Sequence, residues 1–242
     1  MMERFFYAPP EAFSSIGTVV LPQDEAKHIV KVLRLRAGAV ITVVDGEGMG
    51  ARVQIERADR DGVYGRIISK HQNLGESDQK FTIGLALLKQ QRRYNFFLEK
   101  SVELGVTGII PIITERIESR SWRPDRAMQI MIAALKQCNR SRLPTLHSPT
   151  PFDQLVGSGV LIADPVAETS FWTEVNRIND SMVMLIGPEG GFTENERQLA
   201  ISRGASLVHL GPRRLRAETA AICSATAFML TGYNRNTQRL KQ

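Results

Sequence analysis

The chain has 242 residues, 43% of them apolar, enough for a sizeable core, and its 23% charged residues carry no biased tract of the kind disordered proteins show. No apolar run approaches the roughly 20 residues needed to cross a bilayer, and the opening Met-Met-Glu-Arg-Phe-Phe-Tyr is unlike a secretion signal, so a cytoplasmic protein without a membrane partner is expected. Lys and Arg outnumber Asp and Glu by 31 to 25, a formal charge of +6 that favours a polyanionic partner through counterion release.

Cys138 and Cys223 are far apart and have no CxxC partner, so both are expected to be small buried hydrophobes. His28, His71, His147 and His209 lack metal-ligand spacing, and no metal is expected. The arginines are clustered at 34 and 36, 92 and 93, 116 to 126, 140 and 142, and 213, 214 and 216. Several clusters fall at the ends of predicted elements, where RNA or DNA contact is more natural than a solvated helix face.

From Thr18 to Lys70 the pattern is mainly strand-like. A helix is predicted over Gln23 to Leu33, with Ala26, Ile29, Val30 and Leu33 on one face. Strands are predicted at Val40 to Val44, Ala51 to Ile55 and Val63 to Ile68, separated by Asp45 to Gly50 and by Asp59-Arg60-Asp61-Gly62 with the Gly and Asp that turns require. A compact β-barrel over residues 1–72 follows, and the polar, aperiodic stretch 73–80 reads as a linker.

Residues 81–242 then alternate strand and helix. Strands are predicted at Thr82 to Leu88, Ile109 to Ile113, Val160 to Ala163, Met182 to Ile186 and Ser206 to Leu210. Helices are predicted at Arg92 to Leu104 with Gly105 closing it, Arg123 to Asn139, Phe171 to Ile178, Glu194 to Arg203 and Ala217 to Leu230. This is the grammar of an open, largely parallel α/β sheet, in which ligands bind beyond the carboxyl ends of the strands. The loops after 163, 186 and 210 are therefore the candidate site.

The first, Ala163-Asp164-Pro165, is a generic turn. The second, Gly187-Pro188-Glu189-Gly190-Gly191, lets the backbone approach a ligand closely, and Thr193 with Glu196 reads as a capping box opening a helix. It matches neither the dinucleotide nor the Walker fingerprint, which argues against a nicotinamide dehydrogenase. The third runs Leu210-Gly211-Pro212-Arg213-Arg214-Leu215-Arg216-Ala217-Glu218. A carboxylate at the first helical turn suits the macrodipole, whereas three arginines immediately before it oppose the dipole unless an anion offsets them.

These residues, in this order, resemble the 16S rRNA uracil-N3-methyltransferases of the SPOUT superfamily (the RsmE type). The resemblance rests on the glycine loop followed by Leu210-Gly211 and Leu215-Arg216-x-Glu218-Thr219-Ala220. It is extended by His28-Ile29-Val30-Lys31-Val32-Leu33-Arg34, by Lys100 to Val106 with Pro111 to Arg116, and by Gln137-Cys138-Asn139-Arg140. It implies an N-terminal PUA-like RNA-binding barrel, a C-terminal trefoil knot, rare among folds, and a homodimer through the catalytic domain. It also implies that S-adenosyl-L-methionine (SAM) is held, mainly by backbone, at Ala163, Leu185, Gly187, Pro188, Glu189, Gly190, Gly191, Leu210, Gly211, Leu215, Arg216, Thr219 and Ala220. The implied partner is 16S rRNA in the small ribosomal subunit, near the decoding centre. Arg214 and Lys136 depart from the family pattern, where an aliphatic and an acidic residue are expected.

Uracil N3 is a weakly acidic imide and a poor nucleophile while protonated. The site must take or share its proton and stabilise charge on the flanking carbonyls. Arginine is too basic to be the base, but its fork suits an anionic uracil. Arg216 is expected in that role, with Glu218 either orienting it or accepting the proton, and Arg140 with Asn139 reaching in from a dimer mate. His28, Lys31, Arg34, Arg36, Arg92 and Arg93 are the candidate RNA contacts. Two alternatives stay open at this point: the same fold acting on a ribose 2′-OH or guanine N1, and a non-catalytic ribosome-assembly factor.

Overall fold

Tight Asx turns fold the N-terminal third into antiparallel hairpins. At the first, Asp45 Oδ1 accepts from the backbone N–H of Glu47 (2.8 Å) and Met49 (2.9 Å), which is why an aspartate begins this Gly-rich turn. The computed structural model describes residues 4–59, 62–177 and 181–239, with side chains as far as 231. Arg60, Asp61 and Ile178, all within predicted elements or turns, lie outside the described residues.

The chain divides into two compact units, Met1–Ser77 with Met131–Leu143, and Asp78–Ile130 with Pro144–Gln242. In the first unit lie β1 (Phe5–Tyr7), β2 (Thr18–Leu21), α1 (Gln23–Lys27), β3 (Val40–Val44), β4 (Met49–Ala58) and β5 (Val63–Gln72). They form a five-stranded sheet in the order β1-β3-β4-β5-β2, antiparallel except for the parallel β1–β3 pair. Its core gathers Phe6, Ile29, Ile41, Val43, Val53, Ile55 and Val63. The predicted helix over Gln23 to Leu33 is present but widens after Lys27 into a π-helical turn, His28–Leu33. Arg34 ends it in the left-handed region at φ 53°, its N–H donating to the Ile29 carbonyl. A β-branched run at Ile29, Val30 and Val32 weakens regular α-helix here, consistent with that widening.

Residues 73–77 do not behave as the tether that their polarity predicts. The Glu76 side chain is buried and accepts from the backbone N–H of Ser141 (2.9 Å) and Arg142 (2.8 Å), while Ser141 Oγ donates to the Leu74 carbonyl (2.7 Å). This return of Met131–Leu143 gives the first unit a discontinuous sequence, which a contiguous cut at residue 72 omits.

The second unit contains β6 (Lys80–Ala86), α2 (Gln91–Glu103), β7 (Gly108–Ile113), the start of α3 (Pro124–Cys138), β8 (Thr145–Leu146), β9 (Thr150–Pro151), β10 (Val160–Ala163), α4 (Phe171–Arg177), β11 (Ser181–Ile186), α5 (Glu194–Ser202), β12 (Ser206–Val208) and α6 (Ala217–Arg239). The sheet is parallel throughout, ordered β12-β10-β11-β6-β7-β8, with β9 also on β7. Its central strands are buried on both faces, which accounts for runs such as Gly108–Ile113 that lack alternation. Phe152, Val156, Leu185, Phe192 and Ala200 share one core cluster. Phe81 packs on Phe228 of α6, ring centroids 4.9 Å apart. Gly105 closes α2 in the left-handed region, φ 78°. Cys138 is half-buried and Cys223 is exposed, so the expectation that both are buried is not met, least of all for Cys223 on α6.

Candidate active site

β10, β11 and β12 are adjacent in the sheet and parallel, so the loops that leave them emerge together at its carboxyl edge. Between those loops lies a pocket of about 540 Å³, within the range of roughly 300–1,000 Å³ usual for small-molecule sites. Ala163, Asp164, Pro165 and Val166 supply one wall, Ile186 to Phe192 a second, and Leu210, Gly211 and Arg213 to Ala217 a third.

The second wall is built from backbone. The Gly191 N–H donates to the Pro188 carbonyl at 2.8 Å, closing a turn with Gly191 at φ 68°. A Cβ on Gly187 would stand 3.2 Å from the Phe192 nitrogen and 3.3 Å from Gly191 backbone, so the turn folds back on itself only because that side chain is missing. Phe192 then anchors the loop in the core against Phe152, centroids 4.7 Å apart. The capping box is present in both directions: Thr193 Oγ1 accepts from Glu196 N–H (3.2 Å), and Glu196 Oε2 accepts from Thr193 N–H (2.8 Å). The other Glu196 oxygen accepts from Glu115 N–H at 2.9 Å. Beside it, Arg116 Nη1 donates to the Gly190 carbonyl at 2.8 Å, so the segment after β7 braces the glycine turn.

In the third loop, the Gly211 N–H donates to His209 Nδ1 at 3.2 Å. Arg214 neither faces open solvent alone nor is reserved for phosphate: its Nη2 donates to the Glu189 carbonyl (3.0 Å), joining the second and third walls. Arg197 reaches the buried Asp164 at 3.4 Å, joining the first wall to α5. The strongest link is Arg93. Its Nε donates to Glu218 Oε1 at 2.8 Å, its Nη2 donates to Glu218 Oε2, and its Nη1 donates to Glu189 Oε1 at 2.8 Å.

Burial pushes the Glu218 carboxyl up, but the Arg93 hydrogen bonds, the helix-start N–H and the charges of Arg93 and Arg216 outweigh it and hold the group below the usual carboxylate range. Arg93 is held above its ordinary value, first by its hydrogen bond to Glu218. Glu218 is thus an ionised partner of Arg93 whose two oxygens are both engaged. Among the described residues, Arg213 and Arg216 are the pocket arginines whose guanidinium has no hydrogen-bonded or ion-paired partner.

The structure therefore brings together eleven of the thirteen residues expected at the cofactor, all but Leu185 and Thr219. Leu185 is fully buried one residue before the pocket wall, and Thr219 is exposed on the outer side of the first turn of α6. His28, Lys31, Arg34 and Arg36 are exposed in the first unit and Arg92 is exposed on α2. Arg93, expected among the RNA contacts, instead has its donors engaged inside the site, because one helix position separates a solvent face from an inward one. Arg140 belongs to the first unit, where Glu76 holds it. Sequence reasoning missed Arg116 and Arg197 as pocket residues. Arg116 could have been found from its place just past the carboxyl end of a buried strand; Arg197 sits mid-helix and carries no local signal.

SAM fits this chamber on the structure's own terms. The pocket has a glycine-built wall for close backbone contact, the half-exposed Glu189 carboxylate for the cationic part of the ligand, and arginines for its carboxylate. A family model described as RNA methyltransferase domain matches residues 75–229, and one described as RNA methyltransferase PUA domain matches residues 21–68. Ribosomal RNA small subunit methyltransferase E of Synechocystis sp. is 31% identical over 238 residues, spanning 91% of this chain and 75% of that protein. The Bacillus subtilis protein of the same name is 25% identical, over 93% of this chain and 95% of its own length. Among solved structures, a probable rRNA-methyltransferase from Porphyromonas gingivalis superposes with a TM-score of 0.87 at 31% identity, covering 96% of this chain and 99% of that one. Ribosomal RNA small subunit methyltransferase E of Neisseria gonorrhoeae, bound to S-adenosyl methionine, superposes with a TM-score of 0.85 at 30% identity, covering 95% and 98%. With a PUA-like N-terminal region, a knotted parallel α/β core and this pocket, the chain belongs to the ribosomal RNA small subunit methyltransferase E family of SAM-dependent RNA methyltransferases.

Proposed function

We propose that this protein methylates N3 of one uridine in 16S rRNA of the small ribosomal subunit, near the decoding centre, with SAM as methyl donor. The observation that carries this reading is the division of charge at the pocket. Glu218 is paired with Arg93, while Arg216, two residues before it, projects at the pocket wall with its donors unengaged among the described residues.

SAM supplies an electrophilic methyl carbon on a sulfonium. Solvent takes the imide proton as N3 ionises; the N3–C bond would then form as the C–S bond breaks, leaving the donor as a neutral thioether. Arg216 presents a planar fork of donors suited to the uracil carbonyl oxygens, whose negative charge grows as N3 loses its proton; this favours the nucleophilic anion near neutral pH. Glu218, ionised and doubly hydrogen-bonded, acts on orientation and local potential, and it is poorly suited to take the proton. The glycine wall lets the donor make close backbone contact, which fixes its orientation. Because N3 is occupied in a base pair, the target uridine must be unpaired or flipped outward.

Lys31, Arg34, Arg36 and Arg92 fit phosphate contacts, and His28 a stacking contact. Phe96 of α2 with Met229 and Leu230 of α6 leaves apolar surface on the catalytic unit, which supports a homodimer formed through that unit. No helix among the described residues is long and apolar enough to cross a membrane, which agrees with work on ribosomal subunits in the cytoplasm.

The test is mass spectrometry of 16S rRNA nucleosides from cells lacking the protein. One 3-methyluridine should disappear, return with the wild type and not return with Arg216→Ala. An unchanged 3-methyluridine content in the deletion strain overturns the assignment.

A further inference from the structure

Of the six arginines around the pocket, Arg93 alone joins two carboxylates from distant parts of the chain. It comes from the first turn of α2, Glu189 from the glycine loop and Glu218 from the first turn of α6. Its side chain is 13% exposed and that of Glu218 is 8% exposed, so the pair is largely withdrawn from solvent. Its fork lies side-on to Glu218, and only an arginine can hold both oxygens of one carboxylate while turning a third donor to another. The charge of Arg216 acts on the same carboxylate, which places it as the competing partner.

We propose that Arg93 is a positioning residue for methyl transfer: by occupying both oxygens of Glu218 it keeps Arg216 available to the target base, and through Glu189 it ties the glycine wall of the pocket to the start of α6. Without Arg93, Arg216, which lines the pocket two residues before Glu218, is the remaining arginine whose charge acts on that carboxylate, and an ion pair between them removes the donors that the base requires. The inference rests on the role given above to Arg216, and it separates two functions that a plain structural salt bridge would not separate. Donor binding depends on backbone and survives in large part; turnover depends on the freedom of Arg216 and falls.

The experiment measures SAM affinity by calorimetry and methyl transfer to small subunits from the deletion strain, for the wild type, Arg93→Met, Arg93→Lys, Glu218→Gln and the double variant Arg93→Met/Glu218→Gln. For Arg93→Met, kcat at saturating SAM should fall roughly 100-fold, the scale of a misplaced reacting group, with a smaller change in SAM affinity. The double variant should recover roughly tenfold over Arg93→Met, because the released carboxylate that captures Arg216 is gone. Lowering the pH should raise the ratio of Arg93→Met to wild-type kcat, since protonating the released Glu218 frees Arg216. Arg93→Lys, which keeps the charge and the fold but lacks the fork, should be intermediate.

A double variant no better than Arg93→Met, a loss confined to SAM affinity, or a fully active Arg93→Lys overturns the inference. If Arg93→Met does not fold, the Arg93→Lys kcat and its pH ratio to the wild type decide on their own. Absence of methyl transfer by the wild type defeats the proposed function and this inference with it; an active wild type with any of those three results defeats the inference alone.

Discussion

Glu76 holds Arg140 side-on, accepting from Nε at 3.1 Å and from Nη2 at 2.8 Å, with the two side chains 7% and 5% exposed. The same carboxylate caps the backbone of Ser141 and Arg142. Within its own chain Arg140 is thus tied to the first unit. Glu76→Ala leaves a buried guanidinium without this counter-charge and should destabilise the protein by about 3–5 kcal/mol. Urea unfolding followed by far-UV circular dichroism measures it, and a loss under about 1 kcal/mol would contradict the account.

Gly187→Ala should damage the pocket more than the fold. The new Cβ meets backbone of Gly191 and Phe192 at 3.2–3.3 Å, so the turn must open by a few tenths of an ångström. SAM affinity is expected to fall by roughly 10- to 100-fold, as close backbone contact is lost. The thermal midpoint should shift far less than for Glu76→Ala.

Glu196 has two tasks, and its removal should cost more than removal of its capping partner. Thr193→Ala loses one cap hydrogen bond, about 1 kcal/mol. Glu196→Ala also strips the Glu115 N–H of its acceptor, adding about 0.5–1.5 kcal/mol for the loss of a part-buried hydrogen bond. Chemical denaturation of both variants ranks them; equal losses would show that the Glu115 bond carries no weight.

The Glu218 carboxyl is held below its ordinary value of 4.5, so its contribution is fully present above that pH and is lost as pH falls through the lower folded value. Wild-type stability should therefore fall more steeply than that of Glu218→Gln as the pH drops below 4.5. Trp122 and Trp172, the chain's two tryptophans, both lie in the second unit, so fluorescence-detected melts report on the unit concerned. Parallel pH profiles would disprove the coupling.

If Lys31, Arg34 and Arg36 contact phosphate, each removal should weaken RNA binding and lower the slope of log affinity against log salt by roughly 0.7–0.9. Fluorescence anisotropy with a 16S rRNA fragment tests this. Arg92→Ala serves as the comparison from α2.

Much of this is legible in the sequence. Val160 to Ala163 was placed to the residue, and the glycine loop, the capping box and the three-loop site follow from local chemistry acting within a few residues. What escaped was non-local. Arg93 and Arg92 are adjacent in sequence and opposite in fate, because the packing of α2 decides which faces inward. Glu76 looked like part of a tether because its partners lie about 65 residues further on. β8 and β9, two residues each, are too short to leave a period. The knot likewise has no local signature; it was expected through resemblance to a known family.

The strand order has a consequence for how the protein is made. β6 sits between β7 and β11, yet its partner Ser181–Ile186 follows it by about a hundred residues. A nascent chain that has emerged only as far as β10 therefore carries β6 with one long edge unpaired, an aggregation hazard during synthesis. Pairings of this span make folding slow. The third pocket wall and α6 emerge last, so donor binding cannot stabilise the early intermediates. Expression yield should thus respond to chaperone supply far more than to added SAM.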